Sequence, residues 1–348
     1  MQKDIKITML GATETGKTCY MLAMYNLMRE GINGFTLAHQ DLDEDLALAD
    51  RWDVLEYEHQ WPVPTRRGES TSYKFDFCFA YDPLISFDWL DYGGAALTNP
   101  QKEDSVSSEE LKQIIQRLTE SSCIFLCVSG KNLQEHKIDR ENKAILARMN
   151  VFFREIVKQG KKPSVVILIT KYDLCAHRTS EDIFQNISRF FSPFFAEGGN
   201  WDVMVCPVTL GLDLGKDKEN GAIKPDQVHL PLMFAIFQNY YASTIYKEGE
   251  KIQWSEKFQK AQKASETLAS DDPDFWGKLR KWWNRDRSAE TALRKTEEEL
   301  ERSKKEFERS KRELFEDNAK LQLLFNQLKD QTGFLIYSNG KRQERTDD

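Results

Sequence analysis

The sequence contains no apolar run long enough to cross a membrane. A spanning helix needs roughly 18 to 20 consecutive apolar residues, and every apolar stretch in this chain is much shorter. The first of them, residues 5–10, is also too short for the apolar part of a secretory signal peptide. We therefore expect neither an integral helical membrane protein nor a signal peptide in this first run. The expected location is cytoplasmic, with peripheral membrane contact left open by one segment near the C-terminus.

Cysteine is scarce and positive charge is not in excess. The 348 residues include six cysteines and five histidines, and their spacing does not match that of metal-binding motifs. This pattern predicts that the cysteines are reduced and form no disulfides. The formal net charge is −7, which argues against nonspecific nucleic-acid binding by the whole chain. We expect no nucleic-acid partner.

The first 247 residues alternate between strand-like and helix-like segments. Such alternation is typical of a parallel sheet covered by helices on both faces, and we predict an α/β domain over residues 1–247 with a mostly parallel, six-stranded sheet. Residues 73–79 place aromatic side chains at alternate positions, which favours an antiparallel edge strand that turns back at Asp82-Pro83. The predicted strands are residues 5–10, 73–80, 84–90, 123–128, 165–170 and 203–208, and the predicted helices are 17–28, 41–60, 105–119, 139–159, 180–191 and 230–246.

The composition changes after residue 247. We expect a helical linker over 248–287, a long charged helix over 288–330 and a C-terminal tail over 331–348, which contains the short strand-like run 334–337. Apolar residues recur every seven positions in the charged helix, at Leu293, Leu300, Phe307, Leu314, Leu321 and Leu328. Most partner positions of this heptad are polar, so we expect either a weak coiled coil or a helix packed along another element, and self-association stays open.

A phosphate-binding motif follows the first predicted strand directly. Residues 11–18 read Gly-Ala-Thr-Glu-Thr-Gly-Lys-Thr and match G-x-x-x-x-G-K-[ST] between a strand and a helix. Backbone N–H groups of such a loop wrap phosphates, the lysine reaches the β and γ phosphates, and the last hydroxyl binds Mg²⁺. The predicted phosphate contacts are Gly11, Thr13, Glu14, Thr15, Gly16, Lys17, Thr18 and Cys19.

Two further motifs follow at the ends of later strands. Asp91-Tyr92-Gly93-Gly94 reads D-x-x-G, in which the aspartate can hold Mg²⁺ through water and Gly94 can offer its N–H to a γ-phosphate. Thr170-Lys171-Tyr172-Asp173 ends the fifth predicted strand. An aspartate there can pair with the N1 and N2 hydrogens of guanine, a donor pair that adenine lacks. An ATPase or nucleotide kinase would leave this last motif unexplained and ranks behind a guanine-nucleotide protein.

With the three motifs in this order, residues 5–247 resemble the Ras-like and translation-factor (TRAFAC) class of P-loop GTPases. The resemblance implies that GTP or GDP is the ligand, that Mg²⁺ is the cofactor, and that Thr18 and Asp91 bind the metal. It implies that Lys171 stacks on the base, Asp173 selects guanine, and Thr209-Leu210 supply the loop that contacts the guanine oxygen. A switch threonine on Mg²⁺ is also implied, with Thr65 the first choice and Thr71 the second. Catalytic roles then fall to Lys17, Thr65 and Gly94.

The sequence departs from this family at three places. Ala95 stands where the family often has a water-orienting glutamine, so intrinsic hydrolysis is expected to be slow. The first switch is a long insert over residues 31–70, a size that suggests a surface for a protein partner or a lid. Glu14 lies inside the phosphate loop and is expected to point outward. The main reading is a slow GTP switch that signals through the insert and the helical tail; the alternative is a scaffold or sensor that binds GTP or GDP without turnover.

An aromatic and basic segment precedes the charged helix. Residues 275–287 place Phe275, Leu279 and Trp282 with Trp283 on one helical face, next to Trp276 and several cations. Such helices bind anionic membrane surfaces. Docking of Trp276, Trp282 and Trp283 on the protein's own core is the favoured reading, with membrane contact as the alternative. A narrower resemblance, resting on the insert, the slow-looking site and the helical tail, is to bacterial GTPases of conflict-associated or multi-component signalling systems.

Overall fold

The computed structural model describes residues 5–63, 70–93, 108–134, 140–268, 288–329, 331 and 333–343. Thr65, Gly94, Ala95 and the three tryptophans 276, 282 and 283 therefore lie outside the described residues. The chain divides into two compact units, one formed by Met1–Gln238 with Leu324–Asp348 and the other by Asn239–Leu323. Residues 335–342, in the segment predicted as a tail, thus contribute strands to the first unit.

The first unit is built on one mixed sheet of nine strands, in the order β2-β3-β4-β1-β5-β6-β7-β8-β9. The five strands from β4 to β7 in this order pair in parallel, and the pairs outside them are antiparallel. The strands are β1 Ile5–Gly11, β2 Phe35–His39, β3 Ser70–Phe79, β4 Asp82–Tyr92, β5 Cys123–Ser129, β6 Ser164–Thr170, β7 Asp202–Pro207, β8 Leu335–Ser338 and β9 Lys341–Arg342.

The prediction of six mostly parallel strands was wrong in number and direction. β2 has only five residues and lies inside the segment assigned to the insert. It pairs with β3, so β3 is not the edge strand that its alternating aromatics suggested. The hairpin turn is at Ala80-Tyr81, where both φ angles are positive, rather than at Asp82-Pro83. At the other edge, β8 and β9 add a short hairpin to β7.

Helices fill the intervals between the central strands. The six predicted helices are present, and the last of them runs far beyond its predicted end at residue 246. Every residue of β5 is buried, as the run of apolar residues over 123–128 predicted. The helices are α1 Lys17–Glu30, α2 Leu42–Glu58, α3 Ser108–Glu120, α4 Arg140–Lys158, α5 Ser180–Phe190, α6 Leu230–Leu268 and α7 Ser288–Lys329. Within the described residues, no helix combines the length and apolarity needed to cross a membrane.

The second unit pairs the later part of α6 with most of α7. Lys247 on α6 donates to the Asp317 carboxylate at 2.8 Å, and Ser243 donates to the same oxygen at 2.8 Å. The polar heptad positions Ser303, Ser310 and Asp317 are only 6–8% exposed. The charged helix therefore packs along another helix of its own chain, and the positions that face it include small or polar residues.

The insert between α1 and β3 contains both a strand and a helix. α2 begins after Asp41, whose carboxylate accepts from the N–H groups of Asp43 and Glu44 as an N-cap. Trp52 is buried on its inner face, and Asp45 accepts a hydrogen bond of 2.6 Å from the Tyr25 hydroxyl of α1. The insert is thus packed on the first unit up to Glu58, and its chain then continues as residues 59–63 towards the site described next.

Candidate nucleotide-binding site

The phosphate loop connects β1 to α1. Gly16 precedes the first turn of α1, and no side chain caps the helix there. The N–H groups of a helix start, together with the helix dipole, favour an anion at this position. Thr13 and Glu14 are exposed at the rim of the loop, whereas Gly11 and Thr15 are buried beneath it. The loop therefore offers backbone donors rather than the Glu14 carboxylate to a bound phosphate.

Lys17 is folded back onto the loop. Its ammonium donates to the carbonyl oxygens of Gly11 and Ala12, both at 3.0 Å. Burial lowers the pKa of Lys17, while the charge of Asp91 acts in the opposite direction. A buried ammonium held only by neutral carbonyls and one carboxylate is an electrostatic partner for a phosphate.

Asp91 and Thr18 together fit a Mg²⁺ site. The Thr18 hydroxyl donates to Asp91 Oδ2 at 2.9 Å, and Asp91 Oδ1 is buried with no hydrogen-bond partner among the described residues. Asp91 is 2% exposed, and burial raises its pKa. Oxygen donors of this kind are what Mg²⁺ prefers, and a bound cation with its waters would satisfy the orphaned oxygen.

Only one of the two candidate switch threonines is in the described part of the chain. Thr71 lies on β3 directly opposite Asp91 in the β3–β4 register, and its side chain is exposed. Thr65 falls outside the described residues, as does Gly94 of the D-x-x-G motif. Their assignments stay predictions.

The Thr-Lys-x-Asp motif is joined directly to the phosphate loop. The Thr170 hydroxyl donates to the Thr15 carbonyl oxygen at 2.5 Å, and the Lys171 ammonium donates to the Glu14 carbonyl oxygen at 2.8 Å. Thr170 is the last residue of β6, and Lys171 has a left-handed backbone with φ of 51°. The carboxyl end of β6 thus holds the loop after β1 in place.

Asp173 is positioned from the neighbouring strand end. Its Oδ1 accepts a hydrogen bond of 3.0 Å from the Thr209 hydroxyl, which also accepts from the Gly211 N–H at 3.0 Å. Burial raises the pKa of Asp173, and the Thr209 bond partly offsets this. One carboxylate oxygen is therefore fixed by the loop after β7, and the Leu210 backbone follows immediately.

These groups surround a single cavity of about 760 Å³. That volume is within the range of sites for small molecules and cofactors. Of the predicted residues, Thr13, Glu14, Gly16, Lys17, Thr18, Cys19, Thr170, Lys171, Asp173, Thr209 and Leu210 line it. Gly11, Thr15 and Asp91 lie behind this lining and contact it through their bonds with Lys17, Thr170 and Thr18, respectively.

Sequence reasoning missed part of this wall. Trp61, Pro62 and Val63 from the insert and Lys218 from the loop after β7 also line the cavity, as do Tyr20, Lys131, Leu174, Val208, Leu214 and Val228. The Lys218 ammonium lies 5.3 Å from the centre of the Trp61 ring. These residues belong to no short motif, and the segments that carry them meet only in the folded chain.

Comparison with known proteins gives distant structural similarity only. No family model matches the chain, and no curated protein matches it. Among solved structures, it is similar to the signal recognition particle receptor SRb–GTP/SRX complex from Chaetomium thermophilum, with 12% identity, a TM-score of 0.37, and coverage of 60% of this chain and 92% of that one.

A second solved structure with similarity is the GTP-bound Ski7 GTPase-like domain of S. cerevisiae. The identity is 16% and the TM-score 0.32, covering 62% of this chain and 45% of that one. Similarity at this level carries no inference about function, which is argued below from the residues of the site.

Proposed function

We propose that this protein is a guanine-nucleotide-binding switch that hydrolyses GTP slowly. One observation carries the proposal: the phosphate loop and the Thr-Lys-x-Asp motif line the same cavity and are joined by the bonds from Thr170 and Lys171 to the loop carbonyls. A phosphate site and a base site held at a fixed separation indicate that the ligand is a nucleotide rather than a simple anion.

Guanine is the base that suits this site. The Asp173 carboxylate lines the cavity and has one oxygen already bonded to Thr209. A carboxylate accepts two hydrogens, which guanine presents at N1 and N2 and adenine does not. Because burial raises the pKa of Asp173, the ionised carboxylate gains more from such a donor pair than it would in water.

The phosphate end suits a triphosphate with Mg²⁺. Thr18 and Asp91 would hold the metal, which neutralises charge on the β and γ phosphates when it is bound. Lys17 would exchange the carbonyls of Gly11 and Ala12 for phosphate oxygens. In this proposal Ala95 orients no attacking water, so the intrinsic rate is slow and an activating group comes from another segment or from a partner.

Signalling is proposed to run through the insert and the helices of the second unit. The GTP state would order the insert and the segment after Asp91 through phosphate and metal contacts, and hydrolysis would release them. We propose a protein partner for these surfaces, a cytoplasmic location, and a role in a bacterial conflict-associated or multi-component signalling system. Membrane contact by the tryptophan segment is the alternative to its docking on protein.

A scaffold that binds GTP or GDP without turnover is the second candidate. Ala95 favours it, since alanine has no group with which to position water. The two candidates differ in phosphate release by the purified protein, alone and with its partners. Turnover that appears on adding a partner supports the switch, and its absence under all conditions supports the scaffold.

The decisive experiment combines base selection with turnover. Asp173→Asn is expected to weaken GTP binding and strengthen binding of xanthosine triphosphate, because the amide donates where the carboxylate accepted. Phosphate release with Mg²⁺ is measured for GTP and ATP, with Lys17→Ala as the control that removes phosphate binding. An unchanged preference of Asp173→Asn for GTP, or equal use of ATP by the native protein, contradicts the proposal.

A further inference from the structure

Part of the cavity wall that no motif predicted is formed by two segments far apart in the chain. Residues 59–63 follow the last turn of the insert helix α2, and Lys218 lies in the loop between β7 and α6. Both segments belong to the first unit. Trp61 and Lys218 line the cavity and lie 5.3 Å apart from ring centre to ammonium, within the range of a cation–π interaction.

The Lys218 loop is continuous with the residues proposed to recognise guanine. Thr209 starts it, and backbone bonds from Lys224 to Leu210 and from Asp226 to Thr209 close it into a compact loop. Its short 3-10 turn, Leu212–Gly215, packs on Asp173, because a Cβ on Gly215 would come within 2.8 Å of the Asp173 carbonyl oxygen. Lys218 follows this turn by three residues, so the loop that carries it is anchored beside Asp173.

A charge interaction also links the same two segments. Hydrogen bonds from Asn220 lower the pKa of Asp217, and the charge of the nearby His59 contributes in the same direction. His59 ends α2 in a left-handed conformation. The loop therefore lies near the exit of the insert helix, with the Lys218 ammonium over the Trp61 ring.

We propose that Lys218 and Trp61 form a latch that holds the exit of the insert helix against the base end of the nucleotide cavity. This rests on the proposed guanine-nucleotide function and adds to it. Lys218 is a positioning residue that orients the Trp61 ring, and the ring closes the cavity over the nucleoside. The insert helix is consequently coupled to occupancy of the base site, by GDP and GTP alike, rather than to the γ-phosphate alone.

The test measures release of fluorescent GDP and GTP analogues from the full chain after a chase with unlabelled nucleotide. Lys218→Ala and Trp61→Ala are each expected to speed release by roughly two- to fivefold, the effect of a cation–π contact at an exposed site. Lys218→Arg retains the cation and should restore slow release. Lys216→Ala is the matched control, because Lys216 is an exposed residue of the same loop outside the cavity lining.

The outcomes separate the latch from the function on which it rests. If the native protein binds no guanine nucleotide, the proposed function fails. If it binds one and Lys218→Ala releases it at the native rate, the latch is refuted while the function stands. Acceleration for the GTP analogue but not the GDP analogue also refutes it, since Trp61 would then respond to the γ-phosphate. Thermal unfolding of each variant without nucleotide shows whether the fold is retained.

Discussion

Asp91 is a carboxylate held almost entirely out of water, bonded through one oxygen to Thr18 and through the other to no described residue. Burial of a charge in this state opposes folding unless a cation compensates it. Lys17 attracts it, but burial remains the largest influence and the pKa of Asp91 stays raised. The same arrangement that suits Mg²⁺ therefore lowers the free energy of unfolding of the protein without ligand.

We expect Asp91→Asn to stabilise the protein without nucleotide and to weaken its response to Mg²⁺. Because the pKa of Asp91 is higher in the folded protein than in the unfolded chain, the unfolded chain releases this proton at a lower pH. The contribution of Asp91 to stability is therefore complete below its unfolded pKa and is lost as the pH rises through its folded pKa. The amide removes this loss at neutral pH and still accepts from Thr18. Urea unfolding in EDTA measures the gain in free energy of unfolding.

The metal response is measured separately with guanine nucleotide present. Removing a carboxylate that orients metal-bound water reduces metal affinity by roughly 10- to 100-fold. The Mg²⁺ concentration needed for half-maximal stabilisation should rise accordingly. A variant that is less stable than the native protein in EDTA, or that responds to Mg²⁺ as the native protein does, contradicts this account.

At the scale of elements, the site is assembled by the turns that follow parallel strands. β1, β5, β6 and β7 all end at the same edge of the sheet, and the loops after them carry the phosphate loop, Gly130, the Thr-Lys-x-Asp motif and Thr209. Gly130 begins the turn after β5 and lies against the backbone of Lys171. The turn after one strand thus sets the position of the motif after the next.

We expect Gly130→Ala to disturb base recognition without touching the ligand. A Cβ at this position would come within 2.3 Å of the Lys171 carbonyl oxygen, so the motif turn must shift. Overpacking of this kind destabilises proteins by about 1–3 kcal/mol. Guanine-nucleotide affinity, measured by titration calorimetry, should fall together with the melting temperature.

Gly249→Ala provides the control for that substitution. Gly249 lies within α6, and an added Cβ there meets no atom within 4 Å. Alanine in a helix interior is favoured over glycine by about 1 kcal/mol, so this variant should be slightly more stable and should bind nucleotide normally. Equal effects of the two substitutions would show that the Lys171 contact does not matter.

The strands and site residues that could be predicted are those marked by a pattern within a short stretch of sequence. The apolar runs of β5, β6 and β7 predicted buried strands, and the described residues of the three motifs lie at one edge of the sheet. β2 was missed because its five residues carry only two or three alternating apolar side chains and lie between stronger helical patterns. The Trp61–Lys218 contact was missed because it depends on the path of two loops, which no periodicity encodes.

At the scale of the whole molecule, the second unit, Asn239–Leu323, interrupts the first unit in the chain order. α6 starts in the first unit and α7 ends in it, while the rest of both helices belongs to the second unit. The heptad of α7 predicted a helix with a thin apolar seam. It did not predict which residue contacts Asp317 in the polar part of the seam, because Lys247 and Asp317 are 70 residues apart in sequence.

The ion pair in this seam is expected to specify the pairing of α6 with α7 more than to stabilise it. Asp317 has a side chain 9% exposed, and Lys247 has one 22% exposed. Removing one partner from a pair of this kind leaves an uncompensated charge, whereas replacing both by apolar residues is often neutral or stabilising. We therefore expect Lys247→Met to destabilise the second unit by about 1–3 kcal/mol, and the double variant Lys247→Met with Asp317→Leu to recover that loss.

Hydrogen exchange of α7 amides measures the local free energy of opening in the second unit, separately from unfolding of the first. Lys260→Met, an exposed substitution on the same helix, controls for the loss of a surface lysine. If the double variant is as unstable as Lys247→Met alone, the pair contributes stability that apolar packing cannot replace. If the double variant recovers the stability, yet α7 amides exchange from more than one population, the polar pair is what selects a single register of α6 against α7.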